Sequence, residues 1–391
     1  MDKKVVIVGA KRTPIGSFQG QFSTVSSDEL GAAAIRGSLE QAGVAADAVD
    51  DVLMGCVLPA GVGQAPARLA SRKAGIPTSA GAVTINKACG SAMKTIQIGH
   101  DQILAGSSEI VVAGGMENMT LAPYLLPKAR NGYRMGHGQV IDHMFFDGLQ
   151  NPDDDLMMGV FGERCAEKYD FSREQQDAFA VASIERALKA MQSEFDDEIT
   201  PVTVRSRRGE SVVSKDQEPP SCNLEKIPKL RAAFKKDGTV TAASSSKISD
   251  GAAATVLMSA QKAADMGLQP LATIVAHSTF SQDPEWFTTA PIGAIRRVLD
   301  RAGWDIDEVD LFEVNEALDT VTMAAMHELD IDHDKMNVNG GACALGHPIG
   351  ASGARVVVTL INALRHRGLK KGVAALCIGG GEATALAIEL P

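Results

Sequence analysis

Cys89, His347 and Cys377 lie in three glycine-rich segments of the chain, NKACGS, GHPIGASG and CIGGGE. Neighbours this small let backbone and substrate approach a reactive atom closely. Two thiols and an imidazole in such settings point to carbon–sulfur chemistry, in which an acyl group passes through a protein thioester.

Each segment carries its own argument. Cys89 follows the apolar VTI and precedes GSAMKTIQIGHDQIL, which reads as a helix. A helix N-terminus stabilises a thiolate and offers free N–H groups to a developing oxyanion. Gly90, Ser91 and Ala92 permit a sharp strand-to-helix turn; taken alone, the segment also fits a buried structural cysteine. His347 sits in NVNGGACALGHPIGASGARVVVTLINAL, whose glycines suit a loop threading past a ligand ahead of the helix near Arg355. Cys377 ends the strand VAALCI and abuts Gly379-Gly380-Gly381, a turn whose N–H donors no side chain obstructs. Asn315 ends the strand DLFEV, at the carboxyl end where parallel sheets bind ligands; capping of the next helix is the other reading. Cys56, Cys165, Cys222 and Cys343 lack comparable settings and read as structural. No metal is expected, because His and Cys do not pair at ligand spacings, and the glycine loops lack the order of phosphate loops.

What must position these loops is an internally duplicated chain. AIRGSLEQAGVAADAVDDVL from Ala34 aligns without gaps to AIRRVLDRAGWDIDEVDLFE from Ala294. Both copies show Ile, Leu and Ala at helical spacing, then a helix-ending glycine (Gly43, Gly303) and Asp-x-Val-Asp before a short apolar strand. β-Branched runs precede both helices, VVIVGA from Val5 and ATIVAH from Ala272, and each half closes on a strand and a glycine turn, VVAGGME and LCIGGGE. Strand–helix–strand order predicts right-handed βαβ units and a largely parallel sheet in each half. The domains expected are an N-terminal half over 1–120 plus 248–270, an inserted segment over 121–247, and a C-terminal half over 271–391. The insertion carries basic clusters (Arg205, Arg207, Arg208; Lys226, Lys229, Arg231, Lys235, Lys236) and a helix after Ser172, with Gln175 completing a capping box.

Composition narrows the function. A 391-residue chain with 45% hydrophobic and 22% charged residues is a globular protein of two or three units. Its net charge of -10 argues against a general nucleic-acid binder. The N-terminal apolar run reads as a strand rather than a signal peptide, and no uncharged run is long enough to span a bilayer. Six scattered cysteines suit reduced thiols in a cytoplasmic enzyme.

These residues resemble the thiolase family over essentially the whole chain. The resemblance rests on KRTPIGSF, GCVLPAGVGQAPAR, INKACGSAMK, VAGGMENM, KDGTVTAASSSKISDGAA, VNEAL, NVNGGACALGHPIGASGAR and CIGGGEA, in order. It implies an α/β, five-layered αβαβα fold from two duplicated halves, an inserted loop domain holding coenzyme A (CoA), and homodimers or homotetramers. It further implies that Cys89 takes the acyl group and that His347 activates it. Cys377 would be the second acid/base. Asn315 would order a water beside His347 as one oxyanion hole, and the N–H groups of Cys89 and Gly379 would form the other. Ser246 resembles a residue touching the pantetheine arm.

Within the family, VLPAGVGQAPAR and GGMENMTLAPYLL resemble the acetoacetyl-CoA type. The expected reaction is reversible condensation of two acetyl-CoA into acetoacetyl-CoA and CoA, with no tightly bound cofactor. The alternative is a broader 3-ketoacyl-CoA thiolase of fatty-acid degradation. Departures fall at the acyl pocket: Leu318 stands where members often have Phe, Met157-Met158-Gly159 where they have His-Met-Gly, and Trp286-Phe287 replaces a Met-containing segment. DQEPPSC from Asp216 lacks the Arg that family members offer the CoA nucleotide, leaving Lys226 or Lys229 as substitutes. Cys377 before three glycines, where related ketoacyl synthases have a His, separates the chain from that class. A non-catalytic relative is expected to lack Cys89 or His347.

Overall fold

The duplicated segments fold alike. In the computed structural model, which describes residues 4–207 and 209–391, the first copy runs from strand Val5–Arg12 through helix Ser27–Ala42 to strand Asp51–Gly55. The second runs from strand Ala272–Ser281 through helix Ala290–Ala302 to strand Leu311–Val314. Both helices end on a glycine at φ 68°, Gly43 and Gly303, in the left-handed region where a side chain is strained. Asp50 and Asp310 then perform one task twice. Asp50 Oδ2 accepts the N–H groups of Glu109 and Ile110 at 2.8 and 2.9 Å. Asp310 Oδ2 accepts those of Lys370 and Lys371 at 3.0 and 2.8 Å. Each carboxylate ties the start of its own strand to the start of the parallel neighbour.

Among the described residues the main sheet runs Leu311–Val314, Lys371–Ile378, Glu382–Glu389, Ala272–Ser281, Val5–Arg12, Ser249–Ser259, Ile110–Asn118, Asp51–Gly55, Gly81–Ile85. The halves join where residues 5–7 pair antiparallel with 272–274. Contrary to the expectation of largely parallel sheets, both halves are mixed. Among the described strands of the main sheet, parallel pairing is confined to Asp51–Gly55 with its two neighbours and Leu311–Val314 with Lys371–Ile378. The reason is that the last strand of the second half returns through the Gly379–Gly381 turn without a crossover helix, so it must run antiparallel. Ser249–Ser259 holds the same place in the first half, also antiparallel to the strand beside it. The intervening chain, from residue 119 to residue 248, occupies the position of that three-residue turn.

Five layers result. Ser27–Ala42 and Pro66–Lys73 cover the outer face of the first sheet, and Ala290–Ala302 and Asp319–Leu329 cover the outer face of the second. Ser91–Ala105 and Ser352–Arg367 lie between the sheets, the latter buried without a break from Ser352 to Leu364. A helix buried on all sides needs an apolar surface all round, which VVVTLINAL supplies. The two central helices start in contact: a Cβ on Gly353 would stand 2.3 Å from the Met93 nitrogen. That closeness brings the segments leading into them, with Cys89 and His347, to one place.

The inserted residues include the helix Arg173–Ala190, capped by Ser172 and Gln175 as the sequence predicts: Ser172 N–H donates to Gln175 Oε1 at 2.8 Å, and Gln175 N–H to Ser172 Oγ at 3.3 Å. Arg208, of the first basic cluster, lies outside the described residues. Fully buried Arg12 clamps the insertion to the first strand, donating to Glu198 Oε1 at 2.5 Å and to both Asp216 oxygens at 2.7 and 2.9 Å. Asp216, in the segment that lacks a CoA-binding Arg, is thus committed to the scaffold. Removing one partner of a buried ion network strands the others without compensation. Arg12→Met is expected to lower stability by about 3–5 kcal/mol. Urea unfolding should show it as a lower midpoint at unchanged slope, and an unmoved midpoint would refute the clamp. Among the described residues no helix is long and apolar enough to cross a membrane.

Candidate active site

Cys89 sits between strand Gly81–Ile85 and helix Ser91–Ala105, on a turn tighter than the sequence alone suggests. Ala88 before it has φ 43°, unusual for a residue with a side chain, and strain of this kind gathers at functional sites. Ser91 holds the turn, donating its hydroxyl to Ala88 C=O at 2.6 Å and accepting Lys87 N–H at 2.8 Å. The N–H groups of Gly379 and of Cys89 itself face the Cys89 sulfur. Gly379 opens the hairpin turn after Cys377. In that turn Gly381 has φ 89°, and a Cβ on it would meet the Gln282 carbonyl oxygen at 2.3 Å. Glycine is therefore required for the turn to deliver Gly379 to the sulfur.

The imidazole of His347 is buried and fixed from one side. Its Nδ1 lies 2.6 Å from Ser352 Oγ, and the Ser352 hydroxyl donates to Pro348 C=O at 3.0 Å. A hydroxyl that has spent its hydrogen can only accept, so Nδ1 carries the imidazole proton and Nε2 is the free base. Nε2 is buried without a hydrogen-bond partner among the described residues. Asn315 Nδ2 stands 3.5 Å from Nδ1, and its orientation is set by Arg355, which donates to Asn315 Oδ1 at 3.3 Å and to Glu313 Oε1 at 2.6 Å.

Electrostatics keep this site neutral at rest. Burial, aided by the Arg355 charge, holds His347 down to about 3. Burial pushes the Cys89 thiol up to about 11 despite the two N–H donors. The sequence argument expects helix terminus and imidazole to favour the thiolate; desolvation outweighs them here. Burial, followed by the neighbouring Cys89 sulfur, lifts Cys377 well above the ordinary thiol range. The Cys89 sulfur is thus close enough that a thiolate there would oppose ionisation of Cys377.

Cys89, His347, Gly379, Ser246, Met158, Phe287 and Leu318 all line one cavity of about 390 Å³. Asn315 and Cys377 stand behind its wall, both buried. Much of the lining comes from the insertion, including Phe145, Leu149, Met157, Met158, Phe234 and residues 245–248. Phe287 packs edge-on against Phe161 at 5.8 Å, and a Cβ on Gly162 would meet Leu318 Cδ1 at 2.7 Å. Of the suggested nucleotide-binding residues, Lys226 and Lys229 are exposed on the short turn Leu224–Lys229.

Two carboxylates whose roles sequence reasoning missed hold the loops. Buried Glu117 accepts N–H groups from Val57 at 2.9 Å, Leu58 at 3.2 Å and Gly350 at 2.9 Å, joining the His347 loop to the first half. Burial raises its carboxyl to about 7 against those donors. Glu316 accepts Ser183 Oγ–H at 2.7 Å, Asn337 Nδ2–H at 2.9 Å and Cys343 N–H at 3.0 Å. The available signal was a single acid inside an apolar, glycine-bearing strand, IVVAGGMEN.

A doubled, five-layered α/β body with two thiols and an imidazole gathered between its halves defines the class of protein. The thiolase N-terminal domain matches residues 5–261 and the thiolase C-terminal domain residues 268–390; the chain belongs to the thiolase family. It is 50% identical over 387 residues to the acetyl-CoA acetyltransferase of Pseudomonas aeruginosa, covering 98% of each chain. It is 47% identical to that of Chromobacterium violaceum, over 99% of this chain and 100% of the relative. The crystal structure of the Bacillus anthracis acetyl-CoA acetyltransferase superposes with a TM-score of 0.97 at 43% identity, covering 100% and 99% of the two chains.

Proposed function

We propose that this protein interconverts acetoacetyl-CoA plus CoA with two molecules of acetyl-CoA, through an acetyl thioester on Cys89. The observation that carries the reading is the convergence on one cavity of a thiol faced by two N–H donors and an imidazole with a free, buried Nε2. The names of the full-length relatives support the substrate.

In the thiolytic direction Cys89 Sγ attacks the ketone carbon of acetoacetyl-CoA and its proton passes to His347 Nε2. The carbonyl oxygen collects the negative charge. The C2–C3 bond then breaks, leaving an acetyl group on Cys89 and the enolate of acetyl-CoA, whose carbon takes the Cys377 proton. CoA thiol next attacks the acetyl thioester, its proton restoring the Cys377 thiolate, and Cys89 Sγ leaves taking back the proton held on His347 Nε2, giving a second acetyl-CoA. The N–H groups of Cys89 and Gly379 stabilise one oxyanion, and Asn315 with a water beside His347 the other. Condensation is the reverse. No step needs a metal ion or a tightly bound cofactor.

Ser246 would touch the pantetheine arm, and exposed Lys226 and Lys229 would meet the phosphates. The reading extends to a cytoplasmic homodimer or homotetramer, in keeping with six free cysteines and the family's habit. Leu318, Phe287 and Met158 line the cavity, and in this reading they would be the wall against which the acyl chain ends. Acetoacetyl-CoA should accordingly be cleaved at least about tenfold faster, by kcat/KM, than six- and eight-carbon 3-ketoacyl-CoA esters, because a longer chain must displace packed side chains. Comparable rates on the longer esters would make this a broad 3-ketoacyl-CoA thiolase instead.

A further inference from the structure

Three metal-ligating side chains meet at the opposite end of the Cys89 helix, and no step above uses them. His100 and Asp101 belong to helix Ser91–Ala105, about three turns beyond Cys89. His277 belongs to Ala272–Ser281, the first strand of the second half. Asp101 Oδ1 lies 3.0 Å from His100 Nδ1 and 2.9 Å from His277 Nε2, and the three ligand atoms all fall within 4.8 Å of one another. We propose that His100, Asp101 and His277 bind one divalent transition-metal ion of the zinc, cobalt or nickel kind, fastening the Cys89 helix to the second half.

The geometry favours an ion over a plain hydrogen-bond cluster in several respects. The imidazoles stand edge to face with centroids 5.0 Å apart, so their nitrogens reach the shared oxygen from different directions. Both rings are mostly covered, at 12% and 18% exposure, while Asp101 is 58% exposed. Three ligands would thus be held by protein and a further position left to water, as in open zinc sites. Among the described residues Asp101 has no lysine or arginine partner; only the two imidazoles meet its charge. Two nitrogens and one carboxylate oxygen suit borderline metals rather than calcium or magnesium, which take oxygen shells. Lys94 opposes the site electrostatically at His277, with its ammonium turned to Gln97 Oε1 at 3.3 Å.

The ion's effect would be mechanical. Gln97 already donates to Ser278 C=O at 3.0 Å, next to His277, so helix and strand touch here without metal. A bridging ion would strengthen that joint between the halves. Sequence spacing hid the site because His277 lies far along the chain from His100 and reaches it only through the sheet.

The test is titration of the chelator-stripped protein with cobalt(II), followed by its visible spectrum and by equilibrium dialysis. One ion per chain is expected, with d–d bands and no thiolate-to-metal band in the near ultraviolet. The Cys89→Ser variant should bind it equally, which separates this site from the catalytic thiols. The double variant His100→Asn/His277→Gln should lose at least about tenfold in affinity. It should keep thiolysis within about twofold of the parent and lose the rise in melting temperature that zinc gives the parent. Asp101→Asn, at an exposed position, replaces the double variant if that one does not fold. Equal cobalt affinity in parent and variant, no binding by the parent, or binding that disappears wholly with Cys89→Ser would each overturn the proposal.

Discussion

Cys89→Ser will lower thiolysis of acetoacetyl-CoA by on the order of 10⁴ or more and leave no acyl adduct, while the urea midpoint stays where it was. The size of the loss follows from proton affinity. The half-buried thiol already sits at about 11, and a hydroxyl in its place gives up its proton far less readily. His347, held at about 3, is too weak a base at rest to take that proton before attack. Transfer must therefore accompany bond formation, and only an atom as nucleophilic as sulfur makes that route fast. The same reasoning fixes the reactivity of the free enzyme. Alkylation of Cys89 by iodoacetamide should climb about tenfold per pH unit from 7 to 9, tracking the thiolate fraction of a thiol with a high pKa. A plateau near pH 7 would reveal a resting thiolate–imidazolium pair. A labelled acetyl group trapped on the serine variant after acid quench would remove Cys89 from the nucleophile's role.

The contrast between the two halves explains how much of this was visible beforehand. The duplication was legible because helix period, terminal glycine and Asp-x-Val-Asp recur at fixed spacing, and Asp50 and Asp310 turn out to make the same pair of backbone contacts. Strand direction was not legible. Nothing local to Ser249–Ser259 says whether the chain returns by a helix or by a turn, and in this half it returns by way of the insertion. The reactive loops announced themselves by glycine, whereas the residues that orient them did not. Ser352 reaches His347 within one loop-to-helix junction, but Arg355 acts on Asn315 from another segment altogether. Glu117 grips loops from both halves, and contacts of that range have no period for a sequence to show. The balance of charge in the site was misjudged for a related cause: a helix terminus is visible in a sequence, and the degree of burial that overrides it is not.

The second thiol makes a sharper demand on the mechanism than the first. Cys377→Ser should still accept an acetyl group from acetyl-CoA onto Cys89, since that exchange makes and breaks only carbon–sulfur bonds. It should fail at the carbon–carbon step, with thiolysis falling by about 10²–10⁴, the range general acid–base catalysis supplies. The protein's electrostatics say why sulfur is needed there. Burial keeps Cys377 protonated at rest, so it stands ready to hand a proton to the departing enolate carbon. The measurement is exchange of acetyl-CoA methyl protons with deuterated solvent, run beside a burst assay for Cys89 acylation. A normal burst with exchange below about 1% of the parent rate is the expected pair of results. Parent-like exchange in the serine variant would assign the proton transfer to another group, and loss of the burst would show that Cys377 supports acylation itself.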